Sequence, residues 1–180
     1  FTGNPAAVCL PDVEPPAGWM QQVAAEMNLS ETAFAWPSGD GYGLRWFTPV
    51  AEVDLCGHAT LATAFALWET GRVDCDDDIS FATRSGVLGG RREQGMIKMN
   101  FPADPATSCG PPNGLAKALG AEILWCGQNR MDHLVEVANE QTLLDLRPDF
   151  ASLARLDTRG VIVTAAAERD NVDFVSRFFC

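Results

Sequence analysis

The segment from His58 to Thr70 constrains the fold more than any other, because it has the length of a helix and carries Ala, Leu, Phe and Trp on every side. A helix that is apolar all round is normally enclosed by protein. Gly71 follows it as a residue type that commonly ends helices. The rest of the chain must therefore supply elements that surround this helix. No apolar run reaches the ~20 residues that a membrane-spanning helix needs.

Short strand-like runs, separated by Gly, Pro and Asp, fill most of the chain up to residue 104. They are predicted at Ala6–Leu10, Ala33–Trp36, Tyr42–Thr48, Ile79–Thr83, Gly86–Arg91 and Met96–Phe101. An amphipathic helix interrupts them, since apolar residues recur at helical spacing from Trp19 to Met27 and Asn28 follows as a stop. We therefore predict an α+β half over residues 1–104, in which a mostly antiparallel sheet is rolled round a central helix at 58–70.

A Pro- and Gly-rich stretch, Asp104–Asn113, is interpreted as a linker or an exposed crossover. Beyond it, strands are predicted at Glu122–Cys126, Leu134–Ala138, Val161–Thr164 and Val172–Phe179, and helices at Leu115–Leu119, 139–146 and 148–155. Asn139 is the predicted cap of the second of these helices. Residues 105–180 are therefore predicted to form a second set of strands and short helices beyond the linker.

Two strand ends resemble each other across the predicted boundary. Leu44–Thr48 has the sequence Leu-Arg-Trp-Phe-Thr, and Ser176–Cys180 has the sequence Ser-Arg-Phe-Phe-Cys. The two segments share an Arg and, two positions later, a Phe. This similarity alone indicates an internal repeat only weakly.

Charge excludes one class of partner. The chain carries 13 Lys and Arg residues against 24 Asp and Glu residues, a net charge of −11, and it has no basic face. Binding of nucleic acid is therefore not expected. The densest acidic run, Asp74 to Asp78, lacks the ligand spacing and the glycine of a calcium loop, so we interpret it as a solvated turn rather than a metal site.

The six cysteines form neither a C-x-x-C pair nor a disulfide framework. Cys9, Cys56, Cys126 and Cys180 have strongly apolar neighbours, which predicts reduced, partly buried thiols in a cytoplasmic protein. The start of the chain shows no pattern of a secretory signal. The two histidines and the cysteine spacings predict no metal site, and His133 is interpreted as a structural or surface residue.

Glu31 is the first candidate for chemistry. It lies between the amphipathic helix and the strand that begins at Ala33, and its apolar neighbours Leu29 and Phe34 would partly desolvate its carboxylate. A general acid or base needs such a position. The alternative is a turn glutamate whose oxygens accept backbone N–H groups, and the residues alone leave both interpretations open.

The second candidate is the start of the apolar helix, Cys56-Gly57-His58. Free backbone N–H groups at a helix start favour a negative charge, so a substrate carboxylate could bind there. The same position favours the thiolate form of a cysteine, and His58 could donate to a substrate oxygen. An ordinary helix cap with a buried cysteine fits equally well. Ser30 lacks the Gly-x-Ser-x-Gly context of a hydrolase, and no glycine-rich phosphate loop is present.

The segments around these candidates resemble the phenazine-biosynthesis PhzF-like isomerase and epimerase family. The similar segments are Phe1–Val8, Asn28–Phe34, Phe47–Pro49, Glu52–Leu61, Thr83–Leu88 and Asp173–Phe179. The resemblance implies a diaminopimelate-epimerase-like fold with two pseudo-symmetric halves, each a sheet rolled round a central helix. It also implies an isomerase that needs no cofactor and moves a proton on a small carboxylated metabolite, usually as a homodimer.

The resemblance also implies roles for individual residues. Glu31 matches the acid/base residue of the family, and His58 matches the residue that orients the substrate beside it. Substrate binding is implied for Asn4, Ser30, Cys56, Gly57 and Ala59. Two alternatives keep the same fold: an amino-acid epimerase or racemase that uses the Cys56 thiol, and a non-catalytic protein that binds carboxylates.

The family pattern has an opening strand before Phe1, and after Cys180 it has an acidic partner and a second glycine-containing turn. The resemblance therefore implies that residues 105–180 are an incomplete C-terminal half that lacks its central helix. We expect the 180 residues to be a fragment, inactive or poorly folded if they are the whole molecule.

Overall fold

The structure, a computed structural model, describes residues 3–180. Phe1 and Thr2, which begin the first family-like segment, lie outside the described residues. The chain divides into an N-terminal unit, Phe1–Pro102, and a C-terminal unit, Ala103–Cys180. This boundary lies just before the predicted linker, Asp104–Asn113.

The N-terminal unit contains two helices and seven strands in the described residues. In chain order these are β1 Ala6–Cys9, α1 Ala17–Met27, β2 Glu31–Ser38, β3 Gly41–Phe47, β4 Glu52–Val53, α2 Gly57–Glu69, β5 Ile79–Thr83, β6 Gly86–Glu93 and β7 Met96–Asn100. The strands form one sheet in the order β1-β2-β3-β5-β6-β7, with β4 paired to β3. Only the β1–β2 and β3–β5 pairs of this sheet are parallel, and a helix connects each of them.

The sheet curves round α2, because both of its edge strands, β1 and β7, contact that helix. This arrangement confirms the predicted fold class. One face of α2 is buried in the main core, where it packs among residues such as Trp46 and Phe81. However, Leu61 is 40% exposed and Phe65 is 52% exposed. The expectation that α2 is enclosed on every side is therefore wrong for the described residues, since the sheet covers only part of its surface.

The opposite face of the sheet carries α1. Met20 and Ala24 of this helix pack on Phe34, Trp36 and Phe47 of β2 and β3. These five side chains form a second core, in which Phe34 meets Phe47 edge to face with ring centroids 5.7 Å apart. The sheet thus packs against an apolar layer on each side, and β2 contributes side chains to both layers.

The C-terminal unit contains a second sheet. Its elements are β8 Thr107–Ser108, α3 Leu115–Leu119, β9 Trp125–Gln128, β10 Asp132–Glu136, α4 Glu140–Asp145, α5 Phe150–Leu153, β11 Gly160–Ala166 and β12 Phe174–Phe179. The strand order is β12-β11-β10-β9-β8. Within residues 103–180 none of the helices is longer than six residues, so the described part of this unit has no counterpart of α2.

Three strands of the C-terminal unit begin two or more residues away from the predicted position, and one of them is β12, which begins at Phe174 instead of Val172. β9 begins at Trp125 instead of Glu122, and β10 begins at Asp132 instead of Leu134. The start of β10 is set by a turn at Asn129, whose side-chain oxygen accepts hydrogen bonds from the backbone N–H groups of Met131 (2.9 Å) and Asp132 (2.7 Å). These bonds close the turn and start the next strand two residues earlier. The predicted cap of α4 is present, since the Asn139 side chain accepts from the backbone N–H of Thr142 at 2.8 Å.

The similarity between the two strand ends has a structural basis. In the N-terminal unit β1 and β2 are parallel and β3 is antiparallel to β2, and in the C-terminal unit β10, β11 and β12 repeat this pattern. The Arg45 guanidinium lies over the Phe47 ring at 5.3 Å, and the Arg177 guanidinium lies over the Phe179 ring at 4.9 Å. The two Arg-x-Phe segments therefore occupy equivalent strands.

Within residues 3–180, none of the helices combines the length and the apolar character needed to cross a membrane.

Candidate active site

The junction between α1 and β2 places Glu31. Asn28 ends α1 in the left-handed conformation, with φ 49°. The chain then turns, and Glu31 becomes the first residue of β2, paired in register with Ala6. Because side chains alternate along a strand, Glu31 shares a face with Ala33, which belongs to the core around α2. The carboxylate is therefore on the α2 side of the sheet.

The start of α2 places the second group of candidates. Cys56 is the N-cap residue in an extended conformation, Gly57 is the first helical residue and His58 is the second. The cap makes no side-chain hydrogen bond, and the first turn contains no acidic residue. The first-turn N–H groups of a helix have no acceptor within the helix, so this end can receive the negative charge of a ligand.

The His58 imidazole lies between a carboxylate and a thiol. Its Nε2 atom is 3.1 Å from Oε2 of Glu31, and its Nδ1 atom is 3.5 Å from Sγ of Cys56. A neutral imidazole has one N–H donor and one acceptor nitrogen. With the proton on Nε2, the ring points a donor at Glu31 and can accept the Cys56 S–H. In this tautomer the ring can accept from Cys56 while its N–H lies beside Glu31, although Glu31 Oε2 has no hydrogen-bond partner.

Ser30 links this group to the segment before β1. Its hydroxyl lies 2.8 Å from Oδ1 of Asn4 and 3.1 Å from the carbonyl oxygen of Pro5, either of which can accept its proton. The same oxygen is 3.3 Å from His58 Nε2. Asn4, Ser30, Glu31, Cys56 and His58, which are far apart in sequence, are thus brought together by β1, β2 and α2.

The Glu31 carboxylate is only partly satisfied. Its side chain is 20% exposed, and the Oε2 atom is buried. His58 Nε2 is 3.1 Å from this oxygen, but no group donates a hydrogen bond to it. A buried acceptor without a full hydrogen bond is energetically unfavourable. The interpretation of Glu31 as a turn residue satisfied by backbone N–H groups does not account for this atom.

Gly57 and Ala59 have different surroundings. A Cβ atom at position 57 would lie 3.9 Å from the Phe101 ring, an ordinary contact distance, so internal packing does not require a glycine there. The absence of a side chain instead leaves the exposed start of α2 open to a ligand. Ala59 is 0% exposed and packs in the main core, so its side chain does not line the open part of the site.

A charged clamp on the loop before α2 was not found by the sequence reasoning. Arg45 on β3 donates to both carboxylate oxygens of Glu52, at 2.7 and 2.8 Å. Arg84 lies 3.0 Å from Glu52 and 3.7 Å from Asp54, and the Ser85 hydroxyl donates to the Asp54 carbonyl oxygen at 2.8 Å. These contacts hold the residues that lead into Cys56, and the only sequence signal for them is an arginine within an apolar strand.

The clamp also changes protonation. The hydrogen bonds from Arg45 hold the pKa of Glu52 below its usual value, against the opposing effect of burial, and the same hydrogen bonds raise the pKa of Arg45. Both groups therefore stay charged at neutral pH. The segment that leads into Cys56 and His58 is held by an ion pair whose two side chains are only 15–16% exposed.

One group of side chains could hold a metal ion within the described range 3–180. Atoms of Glu31, Cys56 and His58 lie within 4.8 Å of one another. However, His58 turns a different nitrogen to each of the other two residues, whereas a single ion would bind only one of them. A metal ion at this position would therefore bind through one His58 nitrogen and leave the other for a hydrogen bond.

Two other acidic or basic candidates lie elsewhere. Asp74 to Asp78 form an exposed turn, in which the Asp77 backbone N–H donates to the Asp74 carbonyl oxygen at 3.0 Å. This agrees with the interpretation as a solvated turn. His133 is on β10 and only 5% exposed, which fits a structural histidine and not a surface one.

The chain is similar in sequence to known proteins over its whole length. The sequence profile of the PhzC-PhzF family, described as phenazine biosynthesis-like protein, matches residues 1–180. An uncharacterized isomerase of Halalkalibacterium halodurans is 49% identical over 180 residues, which are 99% of this chain and 68% of the relative. An uncharacterized isomerase of Pseudomonas aeruginosa is 50% identical over 182 residues, with the same two coverages.

Solved structures show the same similarity. The fold matches a PhzF-family phenazine biosynthesis protein of Enterococcus faecalis with a TM-score of 0.87 and 42% identity, over 98% of this chain and 67% of the other. A putative PhzC/PhzF protein of Clostridium difficile gives a TM-score of 0.84 and 40% identity, over 99% and 68%. A probable proline racemase of Agrobacterium radiobacter, at 9% identity and a TM-score of 0.58 over 96% of this chain and 66% of the other, shares the fold alone.

Proposed function

The chain belongs to the PhzC-PhzF family of phenazine biosynthesis-like proteins, and we propose that it is a cofactor-independent isomerase that moves a proton on a small carboxylated substrate. Its relatives named as isomerases support the reaction class. The observation that carries the mechanism is the buried Oε2 atom of Glu31, 3.1 Å from His58 and without a qualifying hydrogen bond.

Glu31 is the acid/base of this proposal. Its carboxylate takes a proton from a carbon whose negative charge the substrate can delocalise, and the resulting carboxylic acid returns the proton to another carbon. The number of protons and electrons is unchanged by the two steps, so the reaction needs no redox partner. A positioned acid/base contributes typically ~10²–10⁴-fold to the rate.

His58 and the start of α2 bind and orient the substrate. The substrate carboxylate accepts hydrogen bonds from the first-turn N–H groups, which carry no competing acidic side chain. His58 Nε2, held beside Ser30 and Glu31, donates to a substrate oxygen as negative charge develops. Fixed donors of this kind stabilise the transition state more than the ground state.

The test is the appearance of an isomer. The full-length protein that contains this chain and its Glu31→Gln variant are incubated with a panel of small carboxylates, including amino acids and unsaturated acids, and products are followed by proton NMR. We expect the wild-type protein to convert at least one member of the panel and Glu31→Gln to be slower by ~10²–10⁴-fold.

The matched control is Glu26→Gln, an exposed glutamate on α1, which should keep the wild-type rate. If Glu31→Gln converts the same substrate at the wild-type rate, Glu31 is not the acid/base. Homodimer formation and a cytoplasmic location belong to the proposal as well, and sedimentation of the purified protein tests the first of them.

A second candidate function uses the Cys56 thiol as the proton-transfer group of an epimerase or racemase. The observation in its favour is the 3.5 Å distance between Cys56 Sγ and His58 Nδ1, because an imidazole can take the thiol proton. Cys56→Ser would then lose activity, while Cys75→Ser, at an exposed cysteine, would not. An active Cys56→Ser variant leaves Glu31 as the group that moves the proton.

A further inference from the structure

The short edge strand β8 brings two cysteines side by side in the C-terminal unit. Thr107 and Ser108 pair with Gln128 and Gly127 of β9. The pairing continues one position further, because the backbone N–H of Cys109 donates to the carbonyl oxygen of Cys126 at 3.0 Å. Cys109 therefore lies opposite Cys126, and their Sγ atoms are 3.8 Å apart.

The backbone at this position suits a disulfide bond. Residues directly opposite each other in an antiparallel pair have Cα atoms ~4.5–5.5 Å apart, and disulfides span ~4.4–6.8 Å between Cα atoms. Opposite side chains also project to the same face of the sheet. The two sulfur atoms can therefore reach bonding distance by side-chain rotation, without a new backbone arrangement.

We propose that Cys109 and Cys126 form a redox-sensitive modification site that closes to a disulfide when it meets a low-molecular-weight disulfide such as oxidised glutathione. The spacing of the two cysteines in sequence does not predict their contact, and the proposed proton transfer does not use them. The site is separate from the residues of the proposed isomerase reaction.

The chemistry proceeds by two exchange steps. The Cys109 thiolate attacks one sulfur of the oxidant, forms a mixed disulfide and releases the first glutathione thiolate. The Cys126 thiol then loses its proton and attacks the Cys109 sulfur, which releases the second glutathione. The two protein thiols lose two electrons and two protons, and the oxidant takes them up to give two glutathione molecules.

The environments of the two thiols assign these roles. Cys126 is 4% exposed and belongs to the core of the C-terminal unit. Burial, followed by the hydrogen bond with Cys109, raises its pKa to about 11, so it is protonated at neutral pH. Cys109 is only partly buried at the edge of that core. Cys109 is therefore the sulfur that meets the oxidant, and Cys126 is the sulfur that resolves the mixed disulfide.

The bond would fasten a weak edge of the sheet. β8 has two residues and pairs only with β9, and the residues after Cys109 are Gly110, Pro111 and Pro112. A disulfide across this edge would close a loop of 17 residues in sequence separation and so restrict the unfolded chain. Oxidation is then expected to raise the unfolding midpoint of the C-terminal unit.

The experiment exposes the full chain to a series of ratios of reduced to oxidised glutathione, quenches it with acid, alkylates the remaining thiols and maps the peptides by mass spectrometry. We expect a cross-linked Cys109–Cys126 peptide pair to form at more reducing ratios than any other disulfide. We also expect the loss of two alkylatable thiols, both restored by dithiothreitol.

Single variants test the assigned order. Cys126→Ala should trap glutathione on Cys109, whereas Cys109→Ser should lose the cross-link and leave Cys126 unmodified. Cys75→Ser, at an exposed cysteine outside the pair, should cross-link like the wild type. The proposal is overturned if Cys109 and Cys126 both stay alkylatable while Cys75 and Cys180 react, or if Cys109 keeps its glutathione in the wild-type chain.

Discussion

The β1-α1-β2-β3 segment of the N-terminal unit and the β10-α4-α5-β11-β12 segment of the C-terminal unit have the same topology and a different chemistry. In the first, Glu31 pairs with Ala6 and the next residue, Thr32, pairs with Phe47. In the second, Gly160 pairs with Asp132 and the next residue, Val161, pairs with Phe179. Gly160 therefore stands where Glu31 stands. The repeat conserves the scaffold and not the functional group.

The two strand ends differ in how their charges are satisfied. In the C-terminal unit the buried Asp132 carboxylate accepts two hydrogen bonds from Arg159, one of them at 2.9 Å from Nε. In the N-terminal unit Glu31 Oε2 has no qualifying hydrogen bond. Arg159 therefore satisfies the buried carboxylate of Asp132, whereas one oxygen of the Glu31 carboxylate has no hydrogen-bond partner. This difference supports the proposal that Glu31, and not Asp132, is the acid/base.

The largest expected effect comes from removing the Phe ring of each Arg-x-Phe segment, which tests whether the two rings contribute equally to stability. Phe47 is 2% exposed and Phe179 is 7% exposed, so each substitution by alanine should lower the free energy of unfolding by about 3–5 kcal/mol. Urea unfolding measures both changes. The fluorescence of Trp125, the only tryptophan of residues 103–180, reports on the C-terminal unit.

Phe174→Ala is the control, because that ring is 63% exposed and should cost less than ~0.5 kcal/mol. An unchanged stability of Phe179→Ala would limit the equivalence of the two segments to their topology.

The next effect concerns the partners of the two arginines. Arg45 binds Glu52, whereas Arg177 donates to backbone carbonyl oxygens of the α4 end, at 3.0 Å for Leu143 and 3.1 Å for Leu146. Glu52→Gln should lower stability at neutral pH by about 1.5–3 kcal/mol, as expected for hydrogen bonds to a charged group.

The contribution of Glu52 to the free energy of unfolding depends on pH. The pKa of Glu52 is lower in the folded protein than its usual value, which is ~4.3 in an unfolded chain. Its stabilising effect is therefore complete above that value and is lost as the pH falls through the lower folded pKa. Urea unfolding between about pH 3 and pH 7 should show a flatter acid side for Glu52→Gln than for Glu26→Gln. Equal slopes would contradict the clamp.

The smallest expected effect comes from adding a side chain at Gly160, the position in the C-terminal unit that is equivalent to Glu31. A Cβ atom at Gly160 would lie 2.5 Å from the Phe178 ring and 3.0 Å from the Phe179 carbonyl oxygen. Gly160→Ala should therefore lower stability by about 1–3 kcal/mol, the usual cost of overpacking. Gly57→Ala, whose Cβ would meet only an atom at 3.9 Å, is the matched control. An unaffected Gly160→Ala would mean that sterics do not exclude a side chain there.

Local patterns predicted much of the fold. The apolar segment after Cys56 became α2, the stripe from Trp19 to Met27 became α1, and the Asn139 cap was found where the residue type indicated it. These features depend on neighbours in sequence. The start of β10 was misplaced, because it is set by the side-chain turn at Asn129 and not by hydrophobic alternation.

The site shows the same division. Motifs identified Glu31, Cys56 and His58, but neither spacing nor composition could show that His58 lies between the other two. The clamp of Arg45 on Glu52 and the contact between Cys109 and Cys126 were also not predicted, since both depend on strand pairing. Cys180 was expected to be partly buried and is exposed, because at the end of β12 it has no covering element in the described residues.

The central claim is that Glu31, rather than Cys56, moves the proton. The most direct measurement is deuterium incorporation from D₂O into a carboxylate that the protein converts, compared between wild type, Glu31→Gln and Cys56→Ser by NMR. Glu31→Gln should incorporate none above background, while Cys56→Ser should incorporate deuterium at the same carbon as the wild type. Incorporation by Glu31→Gln together with its loss in Cys56→Ser would contradict the account.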